Sequence, residues 1–209
     1  AVKKQNRISN LMLEPSQTDN MKRYEVQPAA VTDMGNGTYL IDMGKEIVGS
    51  LKLDVNGNKE TLILEYGEEL KEDGSVKYQL NTGNKYQEKW TLKAGEQSVS
   101  GIGMKTFRYV MIRGCKSALS VDRVRGLQLR QPFDDEASYF RSANGVLNDV
   151  YELSKYTSKV TNQDVYVDTQ NRERRAYESD ALIAAMTSYS YSEASTLAGY
   201  SAKYLLTHT

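Results

Sequence analysis

The sequence predicts a two-part chain, an antiparallel β-sandwich of the jelly-roll kind followed by helices. Three observations carry this. Short apolar runs of period two recur from Thr38 to Leu129, separated by turns rich in Gly, Asn and Asp. No helical pattern interrupts them. After Gln131-Pro132-Phe133 the apolar residues switch to helical spacing and stay there. Strands first and helices second make two units rather than an alternating βαβ fold.

The elements follow in order. Residues 1–36 are polar and weakly periodic, with Pro15 and Pro28 as breaks, and read as an extended arm or remnant. Gly35-Asn36-Gly37 is turn chemistry. Residues 37–133 then supply the sandwich. Tyr39-Leu-Ile41, Ile47-Val48 and Leu51 to Val55 alternate, and Asn56-Gly57-Asn58 is a hairpin signal. Thr61 to Tyr66, Tyr86 to Leu92, Val99 to Ile102, Phe107 to Ile112 and Leu119 to Leu129 bring the total to about eight strands. The alternation assigns Leu51, Leu53, Val55, Leu62, Leu64, Tyr66, Trp90, Phe107, Tyr109 and Met111 to the inner faces. Cys115, after Gly114 at a strand end, reads as structural.

Pro132 marks the boundary, since it cannot donate to a ladder and disfavours helix before it. Residues 134–209 form the second unit. Ala137 to Phe140 is a last short strand, and Ser142 is placed to cap a helix reaching about Lys159. Val146, Leu147, Val150, Leu153 and Ser154 share a face of that helix. A further strand-like run, Asp164 to Asp168, precedes a charged loop. Ala181 to Tyr189 is the next helix, striped by Leu182, Ala185, Met186 and Tyr189. Ser192 to Ser195 breaks it, and Leu197, Tyr200, Tyr204 and Leu205 mark a final helix. That helix is still apolar shortly before Thr209, so the second unit reads as the front piece of something longer.

Composition removes several classes of function. Lys+Arg and Asp+Glu are both 27, so the chain offers no electrostatic footprint for nucleic acid or an anionic membrane. No apolar run approaches the roughly 18 residues of a membrane span. The start, Ala1 to Gln5, lacks the apolar core of a signal peptide, although a processed one leaves no trace. His208 is the only histidine and Cys115 the only cysteine. That argues against Ser-His-Asp or Cys-His catalysis and against histidine- or cysteine-based metal sites. No phosphate-cradling glycine loop or EF-hand loop is present, so no cofactor is indicated. Tyrosine is frequent, 15 against 3 Phe and 1 Trp. Such rings suit sugar recognition and equally the half-wet faces of strands and helices.

If the chain does chemistry, carboxylates carry it, and they concentrate in Asp168-Thr-Gln-Asn-Arg-Glu-Arg-Arg-Ala-Tyr-Glu-Ser-Asp180. Four carboxylates and three arginines stand there within thirteen residues. Arginines this close hold carboxylates in place and bias their protonation. Carboxylates with different neighbours give one acid and one base at the same pH. The other reading is a solvated, salt-bridged loop capping a helix, since charge runs are commonly surface.

Four stretches in this order resemble one family. They are Tyr39-Leu-Ile-Asp-Met-Gly-Lys-Glu-Ile-Val-Gly-Ser-Leu51, Leu64-Glu-Tyr-Gly-Glu-Glu-Leu-Lys-Glu-Asp-Gly74, Thr106-Phe-Arg-Tyr-Val110 and the loop from Asp168 to Asp180. The chain from about Gly37 to Thr209 is similar to the bacterial α-L-rhamnosidases, inverting glycoside hydrolases. The resemblance implies β-sandwich domains ahead of an (α/α)6 toroid of six helical hairpins. It implies that Glu173 is the general acid and that Asp168 and Asp180 hold rhamnose hydroxyls. Arg172 would fix the loop and the charge around Glu173, and Tyr177 stands where many relatives carry a tryptophan. The family's general base comes from much later in the barrel, outside this chain.

Thr169-Gln170 replaces a common Cys-Pro pair, and Ala176 to Ser179 replaces a Gly-Trp-x-Gly run. The implied partner is a rhamnose-containing glycoside or polysaccharide, with a homodimer also open, in the cytoplasm or exported. Two other functions stay open. One is a non-catalytic sandwich that binds carbohydrate through exposed tyrosines, and the other is a degenerate scaffold, suggested by the altered 176–179 segment.

Overall fold

The computed structural model describes residues 15–193 and 195–208. Residues 1–14 of the expected arm, Ala194 in the helix break and Thr209 lie outside the described residues. The strands are β1 (Lys22–Val26), β2 (Ala30–Gly35), β3 (Thr38–Asn58), β4 (Thr61–Gly67), β5 (Gln87–Thr91), β6 (Ala94–Ser100), β7 (Lys105–Arg113) and β8 (Val124–Arg130). The helices α1 (Gly145–Thr161), α2 (Glu178–Tyr191) and α3 (Ser195–His208) follow. The predicted order, strands and then helices, is the observed one.

β3 organises the sheet. Its 21 residues absorb three stretches that the sequence suggested were separate strands. Its first half pairs with β2 and β7, and its second half with β8 and β6. At Gly49 it faces both Lys105 and Gln128 and changes partner. A Cβ there would lie 1.9 Å from the Leu127 carbonyl oxygen, so only glycine permits the crossing. All eight strands thereby join one antiparallel sheet, of order β1-β8-β3-β7-β4-β5 with β2 and β6 on β3, curled round one core.

Several expectations need correction. Within the expected extended arm, residues 22–35 belong to the sheet: β1 pairs with β8, and β2 forms a hairpin with β3 through Gly35-Asn36-Gly37. Pro28 falls between the two strands and interrupts neither. Asn56-Gly57-Asn58 is not a hairpin turn either, because these residues continue β3 along β6. Gly57 serves close approach, its notional Cβ lying 2.2 Å from the Lys93 carbonyl oxygen. The turn comes at Lys59 (φ 59°), and β4 then leaves for the far side of the sheet, pairing with β5 and β7.

The core holds Leu51, Leu53, Val55, Leu62, Leu64, Tyr66 and Phe107 as the alternation requires, with Trp90 packed against it. In β7 the pattern slips. Val110 and Ile112 reach the core, Tyr109 is half-buried, and Met111 is buried outside the main cluster. The cause is a bulge in β3: Asp42 faces Tyr109 while Ile47 faces Phe107, so five steps on β3 match two on β7.

The helical unit departs further. Residues 137–140 and 164–168 form no strand. Ser138 instead bonds the Tyr151 hydroxyl (2.8 Å) and the Tyr191 carbonyl (3.1 Å), and Tyr166 is buried with its N–H on Ser201 Oγ (3.0 Å). Local side-chain bonding and one large ring, not a ladder, hold these segments. The α1 cap is Asn144, whose Oδ1 accepts from Val146 N at 3.0 Å, while Ser142 closes the turn before it. The α1 stripe of Val146, Leu147, Val150 and Leu153 faces outward, and Lys155, Ser158 and Val160 are buried instead. A second, smaller core joins Tyr166, Ala181, Leu197, Ala198 and Leu205. No helix among the described residues is long and apolar enough to cross a membrane.

The two units touch through polar contacts. Gln131 N–H donates to the Asn162 carbonyl (3.0 Å), and Gln163 Nε2 to the Leu129 carbonyl (3.1 Å). The Tyr156 hydroxyl donates to the Glu46 carbonyl at 2.6 Å.

Candidate functional site

The charged loop is a defined structure. Asp168 N–H donates to the Arg175 carbonyl (2.9 Å), and Arg175 N–H returns to Asp168 Oδ1 (3.0 Å), closing its neck. Arg174 takes a left-handed backbone (φ 52°), unusual for a residue with a side chain, which turns the chain tightly within the neck. Its guanidinium donates within the loop to the Gln170 carbonyl (3.0 Å) and, across the unit boundary, to the Met104 carbonyl (2.7 Å). Asn171 anchors the other side. Its Nδ2 donates to Glu68 Oε1 (2.6 Å), and its carbonyl accepts from the Tyr86 hydroxyl (2.9 Å). The sheet therefore grips the loop at two points, which favours a built site over a solvated cap.

The five predicted residues divide into two groups. Asp168 and Asp180 line a cavity of about 730 Å³ between the sheet, α1, the loop and the start of α2. Its volume is that of a small-molecule cleft. Glu173, Arg172 and Tyr177 are not among its lining residues. They form their own cluster: Arg172 pairs with Glu173 Oε1, and the Tyr177 hydroxyl donates to Glu173 Oε2 at 2.8 Å. That bond to the carboxylate pushes the Tyr177 phenol above its usual range. Tyr177 also caps α2, and Glu178 and Asp180 occupy the first turn, where the macrodipole favours negative charge.

Sequence reasoning missed part of the lining. Glu46 and Thr106 come from the sheet, Glu68 follows β4, and Asn162, Gln170 and Asn171 come from the helical unit. Glu46, Glu68 and Thr106 lie within the matched stretches, so their positions were marked although no role was given to them. Among the lining residues there is no Lys, Arg or His, while four are carboxylates and most others carry hydroxyls or amides. Among the described residues no three His, Cys, Asp or Glu could hold a metal ion. A lining rich in acceptors and free of cations suits an uncharged ligand that donates many hydrogen bonds.

The charged loop thus contributes to an acceptor-lined cleft where the curled sheet meets the helices, and carries an arginine-paired glutamate outside that lining. Comparison with known proteins gives the family. Residues 32–130 match the bacterial α-L-rhamnosidase concanavalin-like domain, and residues 135–207 match the bacterial α-L-rhamnosidase six-hairpin glycosidase domain. The chain belongs to the bacterial α-L-rhamnosidase family. Among solved structures it is similar to an α-L-rhamnosidase from Streptomyces avermitilis complexed with L-rhamnose, at 26% identity and a TM-score of 0.64, over 75% of this chain and 16% of that one.

An α-L-rhamnosidase from Dictyoglumus thermophilum shares the fold at 19% identity and a TM-score of 0.75, over 84% of this chain and 20% of that one. A rhamnosidase from Klebsiella oxytoca with rhamnose bound does so at 16% identity and a TM-score of 0.67, over 87% of this chain and 43% of that one. The chain thus spans less than half the length of each. No curated protein matches it.

Proposed function

We propose that the protein is a glycoside hydrolase that removes terminal α-L-rhamnose from a glycoside or polysaccharide by an inverting general acid/general base mechanism. The observation that carries the reading is the division of the charged loop. Asp168 and Asp180 line the cavity, and Glu173 follows the lining residue Asn171 by two positions in the same loop, held by Arg172 and Tyr177. In this reading the terminal sugar occupies the cavity, and the two aspartates accept bonds from its hydroxyls. The glycosidic oxygen and the leaving group stay outside, where Glu173 delivers the proton. The Tyr177 hydroxyl and Arg172 hold that carboxyl in place, and the face of Tyr177 packs on the sugar or its leaving group. Inversion needs a second carboxylate about 6.5–9.5 Å from the acid, with a water between them. The roles assigned within this chain are those of the acid and of the sugar's contacts. We place the division between the sheet unit and the catalytic helical unit at residues 133 and 134.

The test is Glu173→Gln in the intact protein. Turnover of an alkyl α-L-rhamnoside should fall by about 10²–10⁴-fold. A nitrophenyl rhamnoside, whose leaving group needs little protonation, should lose much less. Equal turnover by variant and wild type on the alkyl substrate would remove Glu173 from the mechanism.

A further inference from the structure

The sheet motifs have no part in the chemistry proposed above, yet they converge on its cavity. Asp42 accepts a bidentate pair from Arg108, Nε at 2.9 Å and Nη2 at 3.0 Å, and its Oδ1 also accepts from Gly44 N–H at 2.7 Å. These bonds pin the bulge that throws Gly44, Lys45 and Glu46 off the ladder. From the other side, the α1 hydroxyl of Tyr156 holds the Glu46 carbonyl, and Lys45 Nζ lies 4.1 Å from the centre of the Tyr156 ring. A bulge fixed at both ends presents the Glu46 side chain to the cavity.

Two further features show polar capacity on that lining. Gln170, 7% exposed, has no hydrogen-bond partner for Oε1, and Thr106 Oγ1 is likewise unpartnered. Glu68, by contrast, is engaged by Asn171. Glu46 is therefore the carboxyl of the sheet wall whose side chain is not spent on holding the loop.

We infer that Glu46 is a substrate-contacting residue: its carboxyl binds a hydroxyl of the rhamnoside seated in the cavity, so that sheet and helical unit share one sugar site. This rests on the function proposed above. Partial burial, then the neighbouring Glu68 charge, push the Glu46 carboxyl above its usual range. A carboxyl that keeps its proton more readily can donate to a sugar oxygen as well as accept from a hydroxyl. The absence of any cation among the lining residues favours a neutral polyol over an anionic ligand.

The experiment compares Glu46→Ala and Glu46→Gln in the intact protein, with aryl α-L-rhamnoside as substrate and L-rhamnose as inhibitor. Glu46→Ala should raise KM and the rhamnose inhibition constant by roughly 10- to 100-fold. The change in kcat should be smaller, the melting temperature unchanged, and Glu46→Gln should recover most of the affinity. If wild type turns over rhamnoside and Glu46→Ala leaves KM and inhibition unchanged, the contact is refuted and the proposed function stands. A matched loss of melting temperature and activity in both variants would also refute it, by showing that Glu46 acts only through the bulge. A folded wild type that neither binds nor cleaves rhamnosides would overturn the proposed function and this contact with it.

Discussion

The sheet and the helices solve the same burial problem differently. In the sheet, apolar residues at alternate positions close on one another because β3 crosses and the sheet curls, so Ile41, Leu53, Leu64 and Phe107 are each 0% exposed. In the helical unit, the residues that share an apolar stripe face outward: Val146 is 69% exposed, Leu153 67% and Met186 63%. α1 and α2 meet through an edge-on ring pair, Tyr151 and Tyr191, and a small polar centre in which Ser188 is fully buried between Ser158 and Asn162. Periodicity tells which residues share a face, while coverage of that face depends on what else is present to pack on it.

The largest effect should come from the sheet. Leu53→Ala removes a fully buried side chain from a closed core and should cost about 2–5 kcal/mol in denaturant unfolding. A cost below about 1 kcal/mol would mean that the curled core relaxes far more than its packing suggests. Next is the helical contact. Ser188→Ala leaves the Asn162 amide without its 3.2 Å partner in a buried setting, at a cost of about 1–3 kcal/mol. If that variant matches wild type, the α1–α2 joint does not depend on its polar centre.

A third prediction concerns the sheet's edge with the cavity. The Arg108 pair, and then the Gly44 N–H, hold the Asp42 carboxyl below its usual range in spite of partial burial. A depressed carboxylate adds stability above its unfolded value, near 3.8, and that stability fades as pH falls through the folded value. Asp42→Asn should therefore cost about 1 kcal/mol at pH 7. The gap between variant and wild type should start to narrow below about pH 4 and keep narrowing as pH falls through the lower folded value. A gap that does not narrow at all as pH falls would assign the loss to bulge geometry rather than to charge.

The same contrast decides what was legible in the sequence. Strand alternation located Leu51 to Val55 and Leu62 to Tyr66 correctly because β3 and β4 are regular there. It failed at Tyr109 because three extra residues in β3 shift the register, and no local pattern in β7 records a bulge in its partner. The polar run Lys22 to Val26 passed for an arm, since an edge strand on β8 needs backbone bonds more than apolar side chains. Of the cavity lining, Asp168 and Asp180 fall in the loop that the sequence singled out. The sheet wall was not singled out with it, because Glu46 and Glu68 stand more than ninety residues earlier than the loop they face and meet it only in the folded chain.

The smallest effect should come from the outward stripe. Met186→Ser replaces a side chain that is 63% exposed, and a polar residue at such a position normally changes stability by no more than about 0.5 kcal/mol. In this chain the melting temperature should hardly move. The measurement becomes sharper when repeated in the intact protein. If the α2 stripe is covered there, the same substitution exchanges a buried thioether for an unpartnered hydroxyl and should cost about 2 kcal/mol or more. A cost in both settings would mean that the stripe is already packed in this chain. No cost in either would make it a solvent face despite its apolar spacing, and the contrast between the two units would then be one of composition as well as of coverage.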